Sequence, residues 1–485
     1  MNRRFCRMKR PVFILLLVLV SMFSFAQTKP NVLFFLVDDL GWNDVSVNGS
    51  KLYRTPNIDA LADEAMNFTN AYAAYPRCVP SRFAMMTGQH PARNRKTDAG
   101  FTTKGFVTLG QAMKENGYGT YFAGKWHLGH TEAEWPHNQG FDVNIGGCAA
   151  GAPGTYFFPY YNPKAKKNNV PYYGLEKGEE GEYITDRLTD ETIKYIDENN
   201  PEKTGKPFFV YLSHYAVHTP FEAKPEKIKF YKKRVKTLQF EGEPYIFGPD
   251  GRAKMWQDNA VYAAMIESMD ESLGRIVAEL KKLGIYENTI IIFTSDHGGL
   301  SNSGLKNKRS LATTNKPLRA GKGHIYEGGI KVPVFVRWPG VIEKKTITET
   351  IITGMDYFPT ILEMCGLSAE PGNHIDGKSF VPALKGNKIN NDRPFYWHQI
   401  AARPTSTGDH NSSVIRIGDY KLHHFLDDNR IELYDLGKDP FEKNNIADEF
   451  PEITSEMDVK LQNWKKEVNA AEVKKKKNKS KKSNY

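Results

Sequence analysis

Apolar residues along this chain fall into two patterns. Asn31–Val37 (NVLFFLV), Phe208–Ser213, 289–294 (TIIIFT) and 332–338 are short, nearly continuous apolar runs, as expected of strands buried on both faces of a parallel sheet. Between them apolar positions recur at helical steps. Thr55-Pro56 supplies a cap and a first-turn proline, and Ile58, Leu61, Ala62 and Ala65 then line one face. Pro80 opens a helix to Met86 that Gly88 stops. Thr108 caps a helix to Asn116, and 183–198 and 356–365 read as two more. The longest spans 256–283, with Val261, Met265, Met269, Leu273, Ile276, Val277 and Leu280 on one face. Strands alternating with helices predict an α/β fold with a large, mostly parallel central sheet sandwiched by helices.

The texture changes after Leu384. Alternating segments at 413–425 and 431–436, with turns at Gly418-Asp419 and 427–429, predict an antiparallel sheet, followed by a helix over 451–468. This gives a main domain over 27–389 and a smaller α+β subdomain over 390–470 that completes one wall of a cleft. Two stretches carry no clear period. The first, 146–181, is rich in Gly, Pro, Tyr and Lys. Its Tyr156, Phe157, Phe158, Tyr160, Tyr161, Tyr172 and Tyr173 suit either stacking on sugar rings or stapling the loop to the body. The second, 224–251, reads as a polar surface excursion.

The 485 residues are 40% hydrophobic and 25% charged, with a formal charge of +10. Arg3, Arg4, Arg7, Lys9 and Arg10 supply five positive charges, and seven lysines between 474 and 482 supply seven more. No acid accompanies either group, so the body sums to about −2. That balance excludes an electrostatic case for nucleic acid. Residues 1–26 have a basic start, an apolar run too short to span a bilayer, and Ser24-Phe25-Ala26 as a cleavage site. They predict an exported chain, periplasmic or secreted, without stable membrane insertion after cleavage. The lysine-rich tail, 471–485, is expected to be disordered. Cys78, Cys148 and Cys365 then remain, which is no disulfide framework; a Cys148–Cys365 bridge stays open.

Chemistry gathers at the strand ends. Asp38-Asp39 and Asp296-His297 each close an apolar run, and ligands bind at the carboxyl ends of strands in such sheets. Adjacent carboxylates repel unless a cation sits between them, and oxygen clusters favour hard divalent ions. Cys78 stands at a helix N-terminus, where free amides favour an anion, with Arg82 one turn on. Lys125 and His127 point the same way if their segment is extended. His218 lies in a loop, and Lys322 lies between two glycines that allow close approach to an anion.

These stretches, NVLFFLVDDLG, TPNIDALADEA, CVPSRFAMMTG, GKWHLG, HTPF, TSDHGG and LRAGKGHIYEGGIKVP, in this order from Asn31 towards Ala447, resemble the formylglycine-dependent sulfatases of the alkaline-phosphatase-like superfamily, in particular carbohydrate sulfatases of bacterial type. The resemblance implies that a formylglycine-generating maturation enzyme oxidises Cys78 and that the hydrated aldehyde is the nucleophile. It implies one calcium ion held by Asp38, Asp39, Asp296, His297 and the modified Cys78. His297 is the least typical ligand, since the family often has Asn there. Arg82 and Lys125 are implied to hold the hydrate, His127 to act as its base, and His218 and Lys322 to bind sulfate and assist the leaving alcohol. The expected substrate is a sulfated carbohydrate, with galactose-type sugars, including N-acetylgalactosamine, favoured. Residues 90–104, 146–182 and 396–425 are expected at the pocket mouth, with His398, Arg403 and His410 as sugar contacts. A phosphonate or phosphodiester hydrolase, and a glycan-binding protein with unconverted Cys78, are the other readings.

Overall fold

The strand Asn31–Val37 is buried at every position and pairs in parallel with Phe208–Ser213 on one side and Thr289–Ser295 on the other. Its side chains alternate between two cores: Leu33, Phe35 and Val37 enter one, Val32, Phe34 and Leu36 the other. This is why the run is apolar throughout instead of alternating. The computed structural model describes residues 29–96, 100–164, 171–305, 308–368, 375–389 and 391–473. The expected signal segment and most of the lysine tail lie outside them.

Eight strands form the main sheet, in the order Thr346–Thr348, Met66–Phe68, Val334–Arg337, Thr289–Ser295, Asn31–Val37, Phe208–Ser213, Gly119–Gly124, Val143–Ile145. Only Val334–Arg337 runs against the others. Helices Pro56–Ala62, Ile184–Glu198 and Ala260–Lys282 cover one face. Cys78–Thr87, Leu109–Glu115 and Tyr357–Met364 cover the other. The α/β sandwich is as expected. Truncating a fully buried side chain such as Phe35 to alanine would cost about 3–5 kcal/mol.

The four strands Phe395–Gln399, Ser412–Ile417, Tyr420–Phe425 and Ile431–Asp435 form the antiparallel C-terminal sheet. Ile415, Leu422 and Leu433 pack under helix Pro451–Glu467 through Met457, Leu461 and Trp464. Trp397 and Val414 meet Tyr72, Ile325 and Ile330 of the main body instead. Lys421 sits in the same contact, with Nζ 2.9 Å from both Glu327 and Glu442 and no exposed surface.

Several expectations change. The helix expected from Pro80 begins at Cys78, and the one expected over 256–283 begins at Ala260, where the Asn259 side chain accepts from two backbone N–H groups. The supposed excursion at 224–251 contains helix Pro225–Val235 and most of a hairpin, Tyr245–Gly248 with Gly251–Lys254. Tyr156, Tyr160 and Tyr172 are fully buried, so they staple the 146–181 stretch to the body and are not available to a sugar. Cys148 and Cys365 are free thiols in cores on opposite faces of the sheet, which rules out a bridge. No helix among the described residues is long and apolar enough to cross a membrane.

Candidate active site

Because seven strands share one direction, the segments following Val37, Gly124 and Ser295 emerge at the same edge of the sheet. They deliver Asp38-Asp39, Lys125 and Asp296-His297. The helix Cys78–Thr87 points its N-terminus at this edge, and its capping residue Arg77 is extended and offers no side-chain cap. The first amides therefore face the cluster.

Cys78 is 6% exposed. Its Sγ lies 3.2 Å from His297 Nε2, 3.6 Å from Asp38 Oδ1, 3.7 Å from Lys322 Nζ and 4.0 Å from Asp39 Oδ1. Lys125 Nζ donates to Asp38 Oδ2 at 2.6 Å. Lys322 Nζ donates to both oxygens of Asp39. Arg82 Nε donates to Asp296 Oδ2 at 3.0 Å, and its Nη1 donates to Ser213 Oγ and to the Lys125 carbonyl. Asp296 Oδ1 accepts the Asp39 N–H at 3.1 Å. His218 Nε2 stands 3.8 Å from Asp39 Oδ2.

Two imidazoles present the same nitrogen to the cluster. Nδ1 of His297 faces the Gly298 carbonyl at 3.0 Å and Nδ1 of His218 faces the Thr219 carbonyl at 2.7 Å. A proton on each Nδ1 satisfies those carbonyls. Burial keeps His218 neutral, so its Nε2 is a lone pair, whereas in His297 burial is outweighed by the charges of Asp296, Cys78 and Asp39, which raise its pKa. His127 is the third imidazole of the cluster, and its buried Nδ1 has no hydrogen-bond partner among the described residues. It arrives differently from the expectation: its φ is +58°, so the Lys125–His127 segment is not extended, and the two side chains converge through a left-handed turn. The His127 ring lies flat against Gly151, where a Cβ would come within 2.3 Å of Cε1 and Nε2.

Burial and local charge compete at every titrating group. Burial pushes Asp38 well above the usual carboxylate range despite Lys125, and the charges of Asp296, Cys78 and Asp39 push the same way. Burial also acts upward on Asp39, but Lys322, His218 and His297 overcome it and hold it at about 2. Burial would raise the Cys78 thiol, yet Lys125, Lys322 and His297 pull it well below its ordinary value. Burial and the Lys125 charge take His127 down to about 4, and burial with the Lys322 charge takes His218 to about 3.

The donor set fits a hard divalent cation. Asp38, Cys78, Asp296 and His297 each offer a ligand atom, all within 4.8 Å of one another, and so do Asp38, Asp39, Cys78 and His218. Three carboxylates crowd a site that is almost wholly buried, which a cation between them relieves. The nitrogen of His297 is the softer donor.

The ten residues expected as catalytic groups and metal ligands thus cluster at one edge of the sheet. The sugar-contact expectations fare differently. His398 is 5% exposed and spends Nδ1 on Ser413 and Nε2 on the Ala471 carbonyl, so it is a packed core histidine. His410 pairs with Asp250 at 2.7 Å. Arg403 is exposed. Sequence reasoning passed over Ser213, Gly151 and Arg77. The Arg77 guanidinium is buried against Asp409 of the C-terminal part and donates to the Ala401 carbonyl at 2.6 Å. A serine or glycine gives no periodic signal, but Arg77 could have been noted as the residue beside Cys78.

A family model described as Sulfatase matches residues 30–367, and one described as N-sulphoglucosamine sulphohydrolase, C-terminal, matches 320–467. N-acetylgalactosamine-6-sulfatase of Canis lupus familiaris is 30% identical over 87% of this chain and 77% of its own. A protein of Formosa agariphila called Sulfatase is 29% identical over 90% of this chain and 89% of its own. The crystal structure of Ps i-CgsB in complex with k-i-k-neocarrahexaose superposes with a TM-score of 0.73 at 29% identity, covering 90% of this chain and 93% of that one.

Proposed function

Because this chain belongs to the sulfatase family and is a sulfuric ester hydrolase with an alkaline-phosphatase-like fold, we propose that it removes ester sulfate from carbohydrates with a formylglycine made from Cys78 and one calcium ion. The observation that carries this reading is the setting of Cys78: a helix N-terminus, with Lys322, His297 and Asp38 all within 3.7 Å of its sulfur.

Cys78 Sγ stands where an oxygen of the matured side chain would be. The hydrated aldehyde would supply an oxygen nucleophile whose second hydroxyl allows bound sulfate to be released again, which a thiol cannot do. Calcium would supply positive charge against the ester's oxygens, and Asp38, Asp39, Asp296 and His297 would hold it. Arg82 fixes Asp38 and Asp296 from behind. Lys125 and Lys322 offer fixed positive charge to a sulfate whose transition state spreads negative charge onto the leaving oxygen. His127 is neutral at pH 7 and sits on residue 78, so it accepts the proton that release of sulfate requires. Lys322, kept protonated by Asp39, is the standing proton carrier on the leaving-group side, and neutral His218 lines the same side.

The substrate favoured is a galactose-type sugar, because the canine relative is named for N-acetylgalactosamine and the Ps i-CgsB structure holds a neocarrahexaose. The reading includes export directed by 1–26, to the periplasm or the medium. The test is sulfate release from defined sulfated mono- and disaccharides by protein co-produced with a maturation enzyme. Peptide mass spectrometry across Cys78 and matched phosphate and phosphonate esters accompany it. Sulfate release that stops in a calcium chelator and returns with calcium supports the reading. An intact thiol with undiminished turnover, or a preference for the phosphorus esters, overturns it.

A further inference from the structure

Lys322 rides on an irregular loop that closes on itself, where the Gly328 N–H donates to the Arg319 carbonyl at 2.8 Å. Glycine at 328 lets those ends meet, since a Cβ there would lie 2.3 Å from the Ala320 carbonyl oxygen. Inside the loop, the Lys322 N–H donates to the Gly299 carbonyl at 3.0 Å and the Gly323 N–H to the Pro76 carbonyl at 2.9 Å. Those two bonds set Lys322 between the segment that carries His297 and the segment that carries Cys78.

One residue of the C-terminal part grips both ends of that loop. The Glu442 carbonyl accepts from Arg319 Nη1 at 2.8 Å, and Glu442 Oε2 accepts the Glu327 N–H at 2.7 Å. Glu442 has no exposed surface and takes a φ of +53°, a left-handed backbone that costs energy for a residue with a side chain. Its other oxygen, Oε1, lies 2.9 Å from Lys421 Nζ and 3.3 Å from His423 Nε2, both on strand Tyr420–Phe425. Lys421 in turn reaches Glu327 Oε1 at 2.9 Å, and Glu327 Oε2 accepts from the Tyr72 hydroxyl at 2.8 Å. The loop's far end is thus tied through Glu327 to the C-terminal sheet and to the chain that leads to Cys78.

A buried triad of two carboxylates and one ammonium is a poor source of stability, because well-packed apolar residues of similar volume often serve as well. What it supplies here is geometry: a carboxylate at 442 accepts from the Glu327 backbone with one oxygen and from Lys421 with the other. We infer that Glu442 is a positioning residue for Lys322, clamping the Arg319 and Glu327 ends of the loop so that the ammonium stays within proton-transfer reach of the leaving oxygen. The role rests on the sulfatase reading above, in which Lys322 carries the proton on the leaving-group side. Attraction between charges falls off slowly with distance, whereas proton transfer needs a hydrogen-bond contact of about 2.6–3.2 Å. A slack loop therefore costs protonation of the leaving group more than it costs sulfate binding.

The test measures kcat and KM of matured wild type and Glu442→Gln on two esters: a sulfated sugar, whose alcohol needs a proton to leave, and nitrophenyl sulfate, whose acidic phenol leaves without one. Rates are normalised to the formylglycine content read by peptide mass spectrometry. Glutamine offers one accepting oxygen where the carboxylate offers two. Glu442→Gln is expected to lower kcat on the sugar ester by about tenfold or more, with KM and the aryl ester rate within about threefold of wild type. Losses of equal size on both esters, or no loss on either, overturn the positioning role. Hydrogen exchange reads the clamp without turnover: the Lys322 and Gly323 amides should exchange about tenfold or more faster in the variant, with those of Asn31–Val37 unchanged. Unchanged exchange at Lys322 and Gly323 overturns the clamp, whereas faster exchange there in a chain whose wild type hydrolyses no sulfate ester would sink only the sulfatase reading. If Glu442→Gln does not fold, Arg319→Gln, at the partly exposed end of the loop, carries both measurements with the same expected and contrary results.

Discussion

Lys322 donates to both carboxylate oxygens of Asp39, at 2.6 and 2.8 Å, across 283 positions of sequence. One charge therefore serves two ends in the proposed reaction: it holds a proposed metal ligand ionised and would face the leaving group. Lys322→Met should lower kcat/KM on sulfate esters by about 10²–10³-fold, the usual cost of a lost transition-state donor. Lys322→Arg should restore the charge near Asp39 without restoring the rate, because the wider fork cannot take the same position. Steady-state kinetics on both variants checks this.

Gly151 is small because His127 lies against it. Gly151→Ala should displace the ring by a sizeable fraction of an ångström and lower kcat by tenfold or more, with KM little changed. The global unfolding free energy should change much less than kcat does. Equal loss in a Gly151→Ala and a His127→Ala enzyme would support the geometry; an undisturbed kcat would contradict it.

The residue before Cys78 is anchored in the C-terminal part. Arg77 and Asp409 form an ion pair with side chains 4% and 1% exposed, so removing one partner leaves an uncompensated buried charge. Asp409→Ala should lower stability by about 3–5 kcal/mol in urea unfolding. A smaller loss in the double variant Arg77→Ala with Asp409→Ala than the sum of the singles would report their coupling.

His214 gives a pH signature. It is fully buried beside Phe35, its Nε2 faces Ser272 Oγ at 2.9 Å, and burial lowers it to about 3. A histidine with folded pKa below its unfolded value near 6.5 favours folding above that value. Its contribution disappears as pH falls towards 3, because the unfolded chain takes up the proton first. The stability advantage of wild type over His214→Asn should therefore shrink by about 2 kcal/mol between pH 7 and pH 5. Urea titrations at the two pH values measure it.

The sequence revealed the site far better than its surroundings. Asp38, Asp39 and Asp296 were legible because each follows a strong apolar run that fixes where the chain emerges, and Cys78 because Pro80 and Arg82 stand at the spacing that resembles the sulfatase motif. The helix Pro225–Val235 was missed because its lysines mask the few apolar positions, Ile228, Tyr231 and Val235, that give its period. The strand Phe395–Gln399 escaped notice for the opposite reason: it is buried at nearly every position and so lacks alternation. His398 looked like a loop ligand because a packed histidine and a binding histidine are the same letter. His127 reached its position through a left-handed backbone that no alternation rule anticipates. The 403–410 loop lies against Gly323, next to Lys322, through tertiary contacts that no local pattern announces.

The central claim is that residue 78 is the covalent nucleophile of a sulfate ester hydrolase. The direct measurement is inorganic sulfate released from a sulfated sugar by Cys78→Ala and by wild type, both produced with a formylglycine-generating enzyme. The account predicts turnover by wild type and none above background for the alanine variant; equal sulfate release from both would contradict it.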